Sequence, residues 1–296
     1  MKHNLPYLLN LPPFLLKDID ENKISFTHKA WIIIFGKFIS FVLNRTNGKF
    51  FCYFINLFFR KDGKIYFDGN NYFKESKNFQ RIYYPNKRIL RIVKDTKKHL
   101  NSIYKSYCLD KITFQENDLF IDCGANIGEV YLSLLINNVL CDYIAFEPDP
   151  ESFDSLEKNI LNQEENLYQT ALSNSDGTVK FFLDSDGANS SIVGFGKKEY
   201  IETKAIKLDN FINNRKIKLF KIEAEGHEPE VLLGSLKSLE NVEYISIDFG
   251  AERGIEQEMT IVKANNILYE NNFKLVDFSE YRFIGLYKNN SSDESK

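Results

Sequence analysis

From residue 118 onward, short apolar runs alternate with longer segments whose apolar residues recur at helical spacing. DLFIDCG, CDYIAFEP and VEYISIDFG are β-prone runs, whereas PESFDSLEKNILNQ and QEMTIVKANNILYENN are amphipathic. This alternation predicts βαβ units in an α/β fold, with a mainly parallel, doubly wound sheet and helices on both faces. The last two runs, FKLVDFS and YRFIGLYKN, predict a closing strand pair with an antiparallel C-terminal strand. We expect this domain over 118–288, with ligands outside the carboxyl ends of its strands.

The hydrophobic pattern differs in residues 1–61, which are predicted to form a helical N-terminal region. WIIIFGKFISFVL (31–43) and KFFCYFINLFFRK (49–61) have helical spacing and are apolar nearly all round, with one narrow polar stripe. NRTNG (44–48) predicts a turn between the two helices. The first segment is interrupted by Lys37 and is shorter than the roughly 20 residues of a membrane span.

Three interpretations of this hairpin stay open. It could pack on the main domain or in a homo-oligomer interface through residues 31–60. It could instead lie in a membrane surface, with its Lys and Arg side chains among the lipid headgroups. The third interpretation is a hairpin that crosses the membrane twice.

Residues 62–117 are a polar, basic and aromatic lead-in to the main domain. The DG turn in KIYFDGNNYF (64–73) predicts a β-hairpin. RILRIVKDTKKHL (88–100) predicts a helix with a basic face, which is either solvated or part of a site for an anionic substrate. DSDGANSSIVGFG (184–196) is long for a loop in a compact domain and is predicted to be a substrate lid, with plain disorder as the alternative. The tail, 289–296, is predicted to be disordered.

Composition narrows the function classes. The net charge is −3. The chain therefore lacks the basic excess that would indicate a nucleic-acid partner. The four cysteines are widely spaced, which argues against a zinc module and against a disulfide scaffold. This pattern and the lack of a recognisable signal peptide predict a cytoplasmic protein, at the inner face of the membrane if it is attached there.

DCGANIGE (122–129) is the most informative local motif. Asp122 ends the first strand of the domain, and Gly124 permits a tight turn and a close ligand approach. Asn126 tolerates an unusual backbone angle, and Gly128 lets the following helix pack closely. The glycine spacing is not the G-x-G-x-x-G of a dinucleotide site. This spacing disfavours an NAD-linked oxidoreductase, which ranks behind the two functions given at the end of this subsection. An acid in the first turn instead suits a ligand with a sulfonium.

Glu147, in YIAFEPDP, ends the next strand about 20 residues after the glycine loop. An acidic residue at this position binds the two ribose hydroxyls of a nucleoside cofactor. An Asp-led glycine loop followed by this Glu predicts an S-adenosylmethionine site of the class I methyltransferase type. Ala171, in TALS, is assigned to the same site.

Several segments in register then resemble one family. FIDCGANIGE, FEPDPESFDSLEKNI, TALSNSDGTVKFF, KAIKLDNFI, LFKIEAEGHEPEVLLG and SIDFGAERG follow the order seen in FkbM-type methyltransferases. The resemblance covers roughly 118–288 and implies a Rossmann-like class I fold with S-adenosylmethionine as cofactor. It also implies methyl transfer, commonly to a hydroxyl oxygen of a sugar or complex natural product, as in bacterial polysaccharide modification. The family often has Asp in place of Glu223 and a small or apolar residue in place of His227.

KIEAEGHEPE (221–230) follows an apolar strand and holds the candidate catalytic residues. Residues two apart in a strand share a face, so Glu223 and Glu225 are predicted to point together towards the cofactor cleft. Gly226 ends the strand. Pro229 and the acids on either side of it, Glu228 and Glu230, are predicted to begin the next helix.

Methyl transfer to a hydroxyl needs alignment and removal of a proton. His227 could be the base because its ordinary pKa lies near neutrality. Glu225 could be the base if it is desolvated, or it could hold sugar hydroxyls. A less favoured alternative is a divalent cation on Glu223, Glu225 and Asp248. Arg253 is either a clamp for an anionic acceptor or part of a surface pair.

The sequence therefore predicts an S-adenosylmethionine-dependent O-methyltransferase that acts on a sugar, glycoconjugate or similar polyhydroxylated small molecule. The alternative is a catalytically silent protein that keeps the cofactor fold for binding or assembly.

Overall fold

The structure is a computed structural model that describes residues 11–16, 25–76, 79–161, 164–183, 190–193, 199–279 and 282–290. The chain divides into two compact units, Met1–Thr96 and Lys97–Lys296. The boundary between them lies inside the predicted lead-in region, and the four-part division of the sequence stays a prediction. Each unit is described separately.

The described residues of the N-terminal unit form three α-helices and a small antiparallel sheet of order β1-β2-β3. Lys64 lies opposite Glu75 in the first strand pair, which confirms the predicted hairpin. A short 3-10 helix, Lys87–Ile92, follows the sheet. The elements are α1 Pro13–Leu16, α2 Phe26–Arg45, α3 Gly48–Phe58, β1 Lys64–Phe67, β2 Tyr72–Glu75 and β3 Ile82–Tyr84.

Helices α2 and α3 confirm the predicted hairpin, with Thr46 and Asn47 between them. The length expected for the first helix was wrong, because α2 begins at Phe26 and has 20 residues. The Ser25 hydroxyl accepts a hydrogen bond from the backbone N–H of His28, which caps the helix well before the apolar run. By length and composition alone, α2 could span a membrane.

The predicted basic helix over 88–100 is interrupted. The 3-10 helix Lys87–Ile92 ends before α4, Thr96–Ser106, begins. A contact distant in sequence accompanies the break: the Asp62 carboxylate, 34 positions earlier, accepts the backbone N–H of Thr96 at 2.7 Å, at the first residue of α4.

The C-terminal unit is built on a seven-stranded sheet of order β14-β15-β11-β10-β4-β5-β6. Strands β4, β5, β6, β10 and β11 pair in parallel, and β15 runs antiparallel to both of its neighbours. This confirms the predicted sheet and its antiparallel C-terminal strand. A second sheet of order β7-β9-β8 and the ribbon β12–β13 lie outside it. In chain order the strands are β4 Leu119–Cys123, β5 Asp142–Phe146, β6 Leu167–Tyr168, β7 Ala171–Leu172, β8 Gly177–Phe182, β9 Tyr200–Ile206, β10 Ile217–Ile222, β11 Val242–Asp248, β12 Ala251–Arg253, β13 Glu258–Met259, β14 Phe273–Phe278 and β15 Ile284–Asn289.

Both faces of the sheet are buried, as a doubly wound fold requires. Along β4, Ile121 belongs to one apolar cluster and Phe120 to the other. Along β10, Phe220 belongs to the same cluster as Ile121, and Leu219 belongs to the same cluster as Phe120. The polar residues at the carboxyl ends of these strands therefore project from within a packed core. The helices are α5 Glu129–Ile136, α6 Pro150–Asn159, α7 Leu208–Phe211, α8 Glu228–Leu233 and α9 Ile261–Glu270.

Candidate active site

The strand order reverses direction between β4 and β10, the position where open α/β sheets bind ligands. The loop after β4, the end of β5 and the segment after β10 meet at this edge. These are the three stretches from which the sequence predicted the cofactor and catalytic residues.

The glycine loop has three residues in the left-handed region: Gly124 at φ +76°, Asn126 at φ +50° and Gly128 at φ +85°. A Cβ added to Gly124 would lie 1.9 Å from the carbonyl oxygen of Glu223. Glycine is therefore required both by the backbone angle and by the close approach of Glu223, the residue that follows β10.

Glu147 holds this loop from the end of β5. Its Oε2 accepts the backbone N–H of Asn126 at 2.7 Å, and its Oε1 accepts that of Asp149 at 2.9 Å. Burial raises the pKa of Glu147 to about 8. A carboxylate can accept about four hydrogen bonds, so both oxygens keep capacity for further donors. The structure thus brings Glu147 and the glycine loop together, as predicted.

Asp122 has a different partner from the one expected. Its carboxylate is fully buried, lies 2.8 Å from the Lys221 ammonium and accepts a hydrogen bond from the Tyr143 hydroxyl. Lys221 is the register partner of Asp122 across β10 and β4, which explains the pairing. Asp122 therefore pairs with Lys221, and its assignment to the cofactor site stays a prediction.

Lys221 ties the loop to the acidic strand end. Its ammonium donates to the carbonyl oxygen of Gly124 at 2.6 Å and lies 3.3 Å from Glu223 Oε2. Burial alone would lower the pKa of Lys221, but Asp122 and Glu223 outweigh it and raise the pKa well above its usual value. The side chain is thus a permanent cation.

Glu223 is fully engaged within the protein. Arg282 donates to it at 2.5 Å, and Tyr107 donates through its hydroxyl. Burial would raise the pKa of Glu223, but Arg282 and Lys221 prevail and hold it far below its usual range. A carboxylate that resists protonation this strongly is a poor general base.

Asp248 is linked to the same cluster, because Arg282 also donates to its Oδ2 at 2.5 Å. A guanidinium thus bridges two of the three acids considered as metal ligands. Among the residues that the structure describes, no group of three or more His, Cys, Asp or Glu side chains could hold a metal ion.

The expectation that Glu223 and Glu225 share a strand face is wrong. Strand β10 ends at Ile222, and Glu225 has a left-handed φ of +49°. The Glu228 carboxylate causes the turn by accepting the backbone N–H groups of Ala224 and Gly226, each at 3.0 Å. A strand period therefore cannot be extended through this segment.

The carbonyl oxygen of Glu225 accepts a hydrogen bond from the Ser191 hydroxyl at 2.7 Å. Ser191 also pairs with Phe182 through the backbone. This short part of the predicted lid is thus anchored beside the candidate site, while 184–189 and 194–196 lie outside the described residues.

His227 precedes α8 and is buried. Its Nε2 lies 2.9 Å from the Ser173 hydroxyl, and its Nδ1 lies 3.5 Å from Glu230 Oε2. Burial lowers the pKa of His227 and outweighs the opposing effect of Glu230. The imidazole is therefore neutral near pH 7, as a general base must be.

Helix α8 begins at Glu228, which confirms the helix start predicted around Pro229. Arg253 donates to both carboxylate oxygens of Glu230, at 2.7 and 2.8 Å. Of the two roles considered for Arg253, the structure gives it the Glu–Arg pair. Burial raises the pKa of Glu228 to about 7.

Ala171 is buried in β7 and pairs with Ala205 of β9. Its assignment to the cofactor site stays a prediction. Sequence reasoning missed Tyr107, Lys221 and Arg282. Only Lys221 carried a signal, as one of two lysines in a strand whose other residues are apolar, because Tyr107 and Arg282 come from distant parts of the chain.

The sequence profile of the FkbM methyltransferase domain matches residues 122–275, which is more than half of the chain. The hexuronic acid methyltransferase AglP of Haloferax volcanii is 28% identical over 142 residues, covering 46% of this chain and 58% of that protein. Methyltransferase 1 of Beauveria bassiana is 26% identical over 172 residues, covering 53% of this chain and 66% of that protein. The chain thus spans less than two thirds of either relative.

Solved structures similar to this chain include a SAM-dependent methyltransferase from Aquifex aeolicus, with a TM-score of 0.38 and 13% identity. The match covers 65% of this chain and 96% of that one. Precorrin-6y C5,15-methyltransferase from Geobacter metallireducens has a TM-score of 0.35 and 13% identity, over 61% of this chain and 85% of that one. Similarity at this level gives no information about the substrate.

Proposed function

The chain belongs to the FkbM methyltransferase family, and from this membership we propose that it transfers a methyl group from S-adenosylmethionine to a hydroxyl of a sugar or glycoconjugate. The observation that carries the proposal is the left-handed loop 124–128, held from the adjacent strand end by Glu147. A buried acid next to a glycine-rich turn suits a ribose and a ligand that approaches the backbone closely.

The residues present fit this cofactor. The backbone of Gly124, Asn126 and Gly128 would line it, and Glu147 would accept its ribose hydroxyls. When bound, the cofactor supplies an electrophilic methyl group on a positively charged sulfur.

The charged cluster beside the loop suits a cationic ligand. Three carboxylates face two cations, which leaves one formal negative charge next to the loop and favours a sulfonium. The cluster comprises Asp122, Glu223 and Asp248 with Lys221 and Arg282.

The acceptor hydroxyl must lose its proton, and we assign His227 to this task. Its pKa lies below the ordinary value, so that it is neutral at physiological pH, and Glu230 faces its second nitrogen. Glu225, half-buried beside it, is proposed to bind acceptor hydroxyls. The choice of a sugar rests on the family and on AglP, which is named for a hexuronic acid.

Two measurements test the proposal. Calorimetry should detect binding of S-adenosylmethionine, and labelled methyl groups should pass to members of a panel of neutral and uronic-acid glycans.

His227→Gln should lower kcat by about 100-fold or more, as loss of a general base does. The control Glu270→Gln, on the exposed end of α9, should leave kcat unchanged.

The outcomes separate the alternatives. Absence of cofactor binding would reject the enzyme, whereas binding without turnover on the whole panel would favour the silent binding protein. Wild-type kcat in His227→Gln would remove this residue from the mechanism and leave Glu225→Gln as the next variant to measure.

A further inference from the structure

Helix α2 exposes an apolar face to solvent. Residues on one side of the helix, spaced three and four apart, have 48 to 71% of their surface exposed although all are large and apolar. The opposite side, with Gly36, Ile39 and Leu43, is buried. An ordinary surface helix has the reverse arrangement, with its polar side outward. The exposed residues are Trp31, Ile34, Phe38 and Phe41.

Helix α3 extends this surface. Phe50, Tyr53 and Leu57 are 52 to 65% exposed and recur at i, i+3 and i+7. The two rows are joined through the ring of Phe54, whose centroid lies 5.8 Å from that of Phe38. Together these two rows form what we term the aromatic face. A contiguous apolar surface of this kind marks an interaction site.

Every charged residue in the segment that carries the aromatic face, 26–61, is basic. Between residues 26 and 61 the chain has no Asp or Glu. The Arg45 guanidinium lies 4.2 Å from the centre of the Phe41 ring, so a cation borders the apolar surface directly. The basic residues of this segment are Lys29, Lys37, Arg45, Lys49, Arg60 and Lys61.

We propose that the aromatic face binds the surface of an anionic lipid bilayer. Phe, Trp and Tyr side chains enter the headgroup region readily, and Lys and Arg side chains beside them meet the lipid phosphates. The inference is independent of the methyl-transfer proposal, because it uses only residues of the N-terminal unit.

Charge makes lipid a better partner than a second copy of the chain. A two-fold symmetric dimer places the same patch on both sides of its interface, so the basic residues of 26–61 would face their own copies. Anionic lipids instead neutralise it. Charge complementarity therefore selects the bilayer as the occupant.

The packing of the two helices indicates attachment to the surface without crossing. A Cβ on Gly36 would lie 2.8 Å from Leu11, so one side of α2 is covered by protein. The side chain of Asn56 in α3 bonds both backbone groups of Ile65, at 2.7 and 2.9 Å, and ties α3 to β1. With only 11 residues, α3 is also too short to span a hydrocarbon core of about 30 Å.

Trp31 is the only tryptophan of the chain and lies in the aromatic face, so its fluorescence reports on this surface alone. Adding phosphatidylcholine–phosphatidylglycerol vesicles to the full-length protein should shift its emission to shorter wavelengths. Brominated lipids should quench it. Pure phosphatidylcholine vesicles, or molar salt, should strongly reduce both effects, because salt shortens the screening length from about 8 Å to about 3 Å.

Charge variants test the same point without disturbing the packed side of the helices. Lys49→Glu with Arg60→Glu should weaken co-flotation with anionic vesicles by at least about 20-fold, because each basic residue at such a surface contributes about fivefold. Lys263→Glu with Lys274→Glu, two exposed positions of the C-terminal unit, is the matched control and should float like the wild type. Ile34→Ser should weaken flotation in the same direction, with an unchanged melting temperature.

Four results would overturn the inference: no flotation of the wild type with anionic vesicles, no change in Trp31 emission, equal loss in the control pair, or resistance to extraction by alkaline carbonate. The last would mean that the chain spans the bilayer. A concentration-dependent dimer that is abolished by Ile34→Ser, without flotation, would assign the aromatic face to self-association.

Discussion

Glu147 combines a buried position with a proposed task, binding of the cofactor's ribose, that requires its charge. Burial raises its pKa to about 8, whereas a ribose diol donates hydrogen bonds best to the ionised carboxylate. Below that pH, binding of the cofactor must release a proton. The affinity for S-adenosylmethionine should therefore rise with pH, by up to tenfold per unit, and level off above about pH 8.

Calorimetric titrations between pH 6 and 9 measure this dependence. Glu147→Gln should bind weakly and lose the rise, while Glu151→Gln, an exposed acid in the first turn of α6, should retain it. If the affinity of Glu147→Gln for S-adenosylmethionine rose with pH as steeply as that of the wild type, a group other than Glu147 would be responsible.

Residue identity at the cofactor end could be predicted because each position has a local reason. Gly124 and Gly128 indicate left-handed backbone angles, and Glu147 is recognisable because it directly follows an apolar β-strand. The partner of Asp122 could not be predicted. Lys221 lies opposite it because β10 pairs with β4 in this register, and the sequence does not reveal that pairing.

The glycine loop is the element on which the site depends most. At Gly124, an added methyl group would meet both a left-handed φ of +76° and the Glu223 carbonyl at 1.9 Å. At Gly254 the φ is +70°, but nothing lies within 4 Å of an added Cβ. The two positions therefore separate backbone strain from steric overlap.

Gly254→Ala should lower the free energy of unfolding by about 1 to 2 kcal/mol, the cost of a left-handed non-glycine residue. Gly124→Ala should cost at least about 2 kcal/mol more, because the backbone at Glu223, just after β10, must move. It should also abolish cofactor binding. Urea denaturation followed by circular dichroism compares them. An equal loss of unfolding free energy in the two variants would mean that the backbone around Gly124 relaxes without cost and that steric overlap adds nothing.

Element boundaries were harder to predict than elements. Strand β10 was predicted, but its end depends on the Glu228 side chain, which reaches back to two backbone N–H groups. The start of α2 likewise depends on Ser25, outside the apolar run. Hydrophobic periodicity indicates which face of an element is buried, whereas side-chain caps decide where the element stops.

On the scale of the whole C-terminal unit, the buried charges join parts of the chain that are far apart in sequence. Tyr107, Glu223 and Arg282 are in direct contact although they span 175 positions. Removing one member leaves the opposite charges without compensation, so the cluster should contribute to global stability more than a surface pair does.

Glu223→Gln should therefore lower the free energy of unfolding by about 3 kcal/mol at neutral pH. The control Glu243→Gln breaks a more exposed pair with Lys218, at 2.9 Å, and should cost less than about 1 kcal/mol. Denaturant titrations compare the two variants.

The pH dependence follows from the depressed pKa of Glu223. Its stabilising effect is complete above its ordinary value of 4.5 and is lost as the pH falls through the folded-state pKa. The difference between wild type and variant should thus shrink in acid. A difference that is constant down to pH 2 would indicate that the side chain contributes through packing alone.

The parallel sheet was predictable because strand and helix periods alternate over most of the C-terminal unit, and each local preference agrees with the global fold. The charge cluster was not predictable, since it depends on the order of the strands. Arg282 lies two positions before the last strand, and nothing in its sequence context distinguishes it from a solvated arginine.

The Lys221 ammonium has a consequence for chemical labelling. Amine-reactive reagents attack the neutral, accessible form of lysine, and Lys221 is 1% exposed with a pKa well above its usual value. It should stay unmodified while exposed lysines such as Lys263 react. Its modification, read by mass spectrometry, would therefore record how often the junction between the glycine loop and β10 opens.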